Sequence, residues 1–186
     1  MSRGYTPEEK LARRLPKIAT SLYVRLLGIV PSIDQSWGGI IQYYPCDVVM
    51  RDGTKRNRVY LVNARQWLVQ WGPLPNEPLG EHVLDVQDVI EVRESISRLL
   101  PRFANKLYAA GETGMGYNIF TVHFDDGTST VHSGGNTVDF IQYPLGKSAR
   151  HVVDVTPFTR DRAFPPDMEL RPEYFWCPFE VDSPEL

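Results

Sequence analysis

Sulfur, long apolar runs and catalytic fingerprints are what this chain has least of. Its two cysteines, Cys46 and Cys177, stand far apart and outside any Cys-x-x-Cys pattern. Two free thiols are therefore expected rather than a disulfide. The longest apolar stretch, Leu22 to Val30, is interrupted by Arg25 and falls short of the ~20 residues a bilayer span requires, so no spanning helix and no membrane partner are expected. The opening Met1-Ser2-Arg3-Gly4-Tyr5-Thr6-Pro7-Glu8-Glu9 puts carboxylates where a secretory signal would begin its apolar core, so a cytoplasmic chain is expected. Nor is there a surplus of positive charge. Twenty Lys and Arg stand against 23 Asp and Glu, a net charge of -3, whereas nucleic-acid binding generally needs a basic face. Charge is not uniform along the chain, however. Residues 1–30 carry six basic and two acidic side chains, six minus two or +4, and residues 157–186 carry three and seven, three minus seven or -4. These ends are complementary to each other or to a second copy.

What the chain does have is one turn device used twice. Asp52-Gly53-Thr54 and Asp126-Gly127-Thr128 each stand between runs of strand-forming residues. Glycine enters positive φ without a Cβ clash and aspartate tolerates the left-handed region, so each Asp-Gly predicts a tight hairpin. Around them the pattern reads as α+β. Thr6-x-x-Glu9 forms a capping box with Pro7 at the first helical position. Beyond Pro16, the four-residue recurrence of Ile18, Leu22, Leu26 and Val30 predicts a second helix. Strands are expected over Ile40–Tyr44, Asp47–Arg51, Arg58–Val62 and Gln66–Trp71, with Val83–Val92 a strand or short helix. A helix follows over Ser97–Ala110, then a second strand block over Tyr117–Phe124, Thr128–Ser133, Thr137–Tyr143 and His151–Val155.

The order of hairpin, Trp-containing strand, loop and closing valine-rich segment in the first block is similar to a small SH3-like barrel. That likeness implies a barrel for about a third of the chain and assigns no functional residue. The organisation expected is an N-terminal helical segment (1–31), a first β block (38–95), a helix with a second β block (96–156) and a tail (157–186). Phe158, Phe164, Tyr174, Phe175, Trp176 and Phe179 make that tail too aromatic for a disordered linker, so it is expected to pack on the body or on a partner.

Four groupings are candidates for chemistry. With a two-residue turn at Asp126-Gly127, Asp125 pairs with Thr128, His123 with Thr130 and Thr121 with His132. Both imidazoles then share one face, ~7 to 8 Å apart between diagonal Cα atoms, where they can converge on a metal or phosphate or simply meet solvent. A zinc site wants a third ligand, which no spacing supplies. Lys55, Arg56, Arg58 and Arg65, near Trp67 and Trp71, resemble in type the cation and aromatic mixture of single-strand binding surfaces, although aromatics at strand period are commonly core. Gly111-x-x-Gly114-x-Gly116 follows a helix instead of opening one, so it reads as a cap and chain reversal, not a phosphate cradle. In His132-Ser133-Gly134-Gly135-Asn136 adjacent strand residues point to opposite faces, which disfavours a Ser-His pair.

No cofactor is expected. The leading functional expectation is a non-enzymatic interaction or assembly protein, acting through strand edges and tail residues such as Tyr174 and Trp176, with a homodimer as the first partner. A small metal-dependent hydrolase at His123 and His132, and nucleic-acid binding through residues 51–65, are the alternatives.

Overall fold

A computed structural model describes residues 15–35, 40–72, 82–159, 168–170 and 172–181. The Thr6–Glu9 capping box and Phe164 lie outside the described residues. The fold is α+β, with elements in the order α1 (Thr20–Leu26), β1 (Ser32–Asp34), β2 (Ile41–Met50), β3 (Lys55–Asn63), α2 (Ala64–Trp71), β4 (Val89–Glu94), α3 (Pro101–Ala110), β5 (Asn118–Phe124), β6 (Ser129–Gly134), β7 (Val152–Pro157), β8 (Met168–Leu170) and β9 (Phe175–Phe179).

The strands form two sheets. In the first, β1-β2-β3-β9 is the order and β4 also pairs with β2; in the second the order is β7-β5-β6-β8. Most pairs are antiparallel, while β9 runs parallel to β3 and β8 parallel to β6. The first sheet stays open, with β9 at one edge and β1 and β4 at the other, so SH3-like closure does not form. Pro45 does not divide this sheet into separate strands as expected. Strand β2 runs through it, because β1 pairs Ile41–Tyr43 and β4 pairs Cys46–Met50, and the proline, which has no N–H to donate, falls in the gap between those two partners.

Both faces of the first sheet are buried. Tyr43, Tyr60 and Val62 enter one core with α3, Trp67 and the inner face of the second sheet. Tyr44, Cys46, Val48, Val59 and Leu61 enter another beneath Leu22 and Leu26 of α1. Double-sided burial explains why β2 and β3 read as apolar runs without clean alternation. Cys46 and Cys177 are free and buried, as their spacing suggested.

Gln66–Trp71 forms helix α2, where a strand was expected. Asn63 Oδ1 caps it by accepting the N–H groups of Arg65 and Gln66 at 3.0 and 3.1 Å. Trp67 and Trp71, four residues apart, then share a helix face with ring centroids 6.4 Å apart, while Val69 is 87% exposed. Residues 137–143 also depart from expectation, since they form no strand beyond an isolated bridge from Arg98 to Phe140.

The tail packs on the body. Strand β9 aligns Phe175 with Val59 and Phe179 with Asn63, and the Trp176 ring lies 4.4 Å from Trp67 and 5.0 Å from Tyr60. Residues 16–18 and 180 meet here in cis: Glu180 N–H donates to Pro16 O at 2.9 Å and Ile18 N–H to Glu180 O at 3.0 Å.

Candidate functional site

The two Asp-Gly hairpins have the same geometry, and their loops are one residue longer than a two-residue turn. Gly53 N–H donates to Met50 O and Met50 N–H to Thr54 O; Gly127 N–H donates to Phe124 O and Phe124 N–H to Thr128 O. The glycines sit at φ of 85° and 81°, completing a three-residue loop in which a left-handed glycine follows the turn. Asp52 and Asp126 each accept the N–H of the threonine two residues on, at 2.8 and 3.1 Å.

That extra residue changes the histidines. His123 pairs with Ser129 and His132 with Phe120, not with Thr130 and Thr121. A one-residue slip moves a strand's side chains to the opposite face, so His123 and His132 do not converge. His132 is 3% exposed, stacks on Phe120 with ring centroids 5.8 Å apart and holds Thr130 Oγ1 at 2.7 Å through Nε2. His123 Nε2 lies 2.8 Å from Thr156 Oγ1. Among the described residues no group of three His, Cys, Asp or Glu side chains could hold a metal ion.

Burial pushes the His132 imidazole down to about 4. Between that value and the unfolded value near 6.5 the unfolded chain binds a proton that the folded chain refuses, so this contribution to stability is complete above the window and lost as pH falls through it. At 1.36 kcal/mol per unit the loss is roughly 3 kcal/mol. Denaturant titrations at pH 7 and 4.5 are expected to show the fall in wild type and a smaller one in His132→Phe; equal falls would remove His132 as its source.

The basic grouping is largely occupied in holding the tail. Arg56 lies with its guanidinium 5.4 Å over the Phe175 ring. Arg58, at the β2–β3 bulge, has a φ of 58°; its N–H donates to Asp47 Oδ1 at 2.9 Å and its Nε to Glu173 O at 2.7 Å. Arg65 Nε donates to Glu180 Oε1 at 2.5 Å. Lys55 is exposed. Tyr174 packs its ring 5.2 Å from Tyr60 and 5.6 Å from Trp176. Gly111 ends α3 at a φ of 78°, and the chain reverses through a Gly114–Tyr117 bridge.

A buried polar cluster joins the first sheet to α3 and the 137–141 segment, and no local motif marks it. Asp139 is fully buried and Arg98 is 2% exposed. The Ser32 hydroxyl donates to Asp139 Oδ1, and the Tyr108 hydroxyl to Oδ2 at 2.5 Å. Asp139 N–H in turn donates to the Tyr60 hydroxyl at 3.3 Å, and its carbonyl accepts Leu99 N–H at 2.7 Å. Arg98 donates to Val30 O and, at 3.4 Å, to Ser32 Oγ. Burial raises the Asp139 carboxyl, against the pull of its donors and of Arg98; burial likewise holds Tyr60 and Tyr108 well above the usual phenol range. Both Asp139 carboxylate oxygens carry donors, so the cluster ties β1, α3 and the 137–141 segment together. The sequence signal was a lone aspartate inside Val138-Asp139-Phe140-Ile141.

The sheet edges differ in how they are finished. Ile33 N–H of β1 donates to Asn105 Oδ1 of α3 at 2.8 Å. On β9, Trp176 O accepts Leu84 N–H at 2.8 Å, beside the Pro16 and Ile18 contacts of Glu180. Lys106 of α3 reaches Asp154 of β7 at 2.7 Å. Strand β4 pairs with β2 alone, and among the described residues no strand lies on its outer side. Ile90 is the bulged residue, without a partner on β2, and is 53% exposed, and Arg93 meets Glu91 through hydrogen bonds of 2.7 and 2.9 Å. Beside the start of β4 a cleft of about 530 Å³ is lined by residues including Ile18, Leu22, Val86, Val89 and Ile90.

No protein-family model, no curated protein and no solved structure matches this chain.

Proposed function

We propose that the protein is a non-enzymatic interaction or assembly module that receives an extended protein segment along β4. The observation that carries this reading is the contrast among the first sheet's edges: β1 and β9 are covered by named hydrogen bonds, whereas β4 presents an unpaired outer side to the described residues. An unpaired edge is a template for strand addition, in which main-chain bonds supply affinity and pockets beside the strand supply selectivity. The cleft next to Ile90 offers such a pocket. The hydrolase alternative lacks a convergent His123 and His132 pair, and the nucleic-acid alternative lacks free Arg58 and Arg65 side chains.

Ile90→Lys puts a solvated charge on the edge without entering either core. It is expected to keep the wild-type melting temperature and to lose the proteins that wild type captures from a cell extract. Capture of the same proteins by both would remove β4 as the docking edge.

A further inference from the structure

We infer that the segment received by β4 is the β4 strand of a second copy, paired antiparallel about a two-fold axis at Val92. This rests on the reading of β4 as a docking edge and names its occupant. A two-fold antiparallel pair sets the central residue opposite itself and residues equally spaced from it opposite one another. About Val92, Glu91 faces Arg93 of the second copy and Arg93 faces its Glu91. Centring on Glu91 or on Arg93 instead opposes like charges, and centring on Ile90 sets Glu91 against Val89. Only the Val92 register matches both charges, and directly opposite charges favour a cross-strand pair while like charges oppose it.

The helices fit the same axis. An axis normal to the sheet keeps both copies of α1 on one side, because α1 packs on β4 through Leu22 and Leu26 against Val89 and Val92.

The test is solution mass by light scattering at micromolar concentration. Wild type is expected at twice the 21.2 kDa chain mass. Glu91→Arg and Arg93→Glu each give positions 91 and 93 the same sign of charge, and each alone is expected at the single-chain mass with an unchanged fold by circular dichroism. Mixed in equal amounts they are expected to recover the double mass, and the double variant E91R/R93E is expected to recover it alone. The mixture separates pairing between copies from the Glu91–Arg93 bond within one copy, which both variants lose. A single-chain mass for wild type, a double mass for both single variants, or no recovery in the mixture and the double variant would overturn the inference. If wild type is a single chain while Ile90→Lys still loses captured proteins, self-pairing fails and the edge reading stands; if that loss is absent too, both fail.

Discussion

Asp139→Ala is expected to destabilise the protein by about 3 to 5 kcal/mol, the range for breaking a buried charged network by removing one partner. Alanine leaves the Ser32 and Tyr108 hydroxyls without their acceptor inside a closed core, and each orphaned buried polar group costs roughly 1 to 3 kcal/mol. Arg98, whose charge favours the Asp139 carboxylate, also loses that opposite charge and keeps Glu94 at 3.6 Å. Against a typical stability of about 5 to 15 kcal/mol, the variant is marginal or unfolded at ordinary temperature. Asp139→Asn is expected to be milder. Its carbonyl keeps one acceptor, and a neutral amide avoids the cost that burial places on the ionised carboxylate. Urea titration of the three proteins measures this, and an alanine variant within about 1 kcal/mol of wild type, an ordinary surface-substitution effect, would show that the cluster does not hold β1, α3 and the 137–141 segment together.

Ending the chain after Glu173 is expected to have an effect at least as large. It removes β9, and with it Trp176 and Cys177 from the edge of the first sheet and Phe179, which is 1% exposed. Phe179 lies between Tyr23 of α1 and Tyr44 of β2, with ring centroids 6.1 and 6.4 Å away. Burial of large apolar side chains contributes about 1.5 to 3 kcal/mol apiece, so losing Trp176 and Phe179 removes on the order of 3 to 6 kcal/mol before the newly exposed β3 edge is counted. Trp176→Ala alone is expected to cost about 3 to 5 kcal/mol. The shortened chain should therefore be insoluble or lack a cooperative melting transition. A soluble shortened chain melting at the wild-type temperature would mean that β9 is dispensable.

Features with local causes were legible in the amino-acid sequence. Gly53 and Gly127 announced both hairpins, Gly111 marked the end of α3, whose start falls at Pro101 rather than at Ser97, and the aromatic density of residues 174–179 marked a packed tail. Missed features had causes outside the local window. Trp67, Val69 and Trp71 fit a strand period, and the Asn63 cap that selects the helix was read as a strand boundary. Whether the Asp126-Gly127 loop held two residues or three decided the face of His132, and both lengths accept an Asp-Gly pair. Asp139 finds Ser32 107 positions away and Tyr60 79 positions away, and no periodicity reports such pairings. The exposed edge of β4 was equally hidden, because the edge position follows from sheet order, which local patterns do not encode.

Amide hydrogen exchange resolved along Val89–Glu94 tests the role of β4 most directly. Alternate amides of an edge strand face outward, and they exchange quickly unless another strand takes them up. In concentrated wild-type protein the outward amides of β4 are expected to be protected and to lose that protection on dilution, while those of Ile90→Lys exchange quickly at both concentrations and β2 and β3 stay protected throughout. Fast exchange of the outward amides in concentrated wild type, matching Ile90→Lys, would contradict the assignment of β4 as the strand through which this protein assembles.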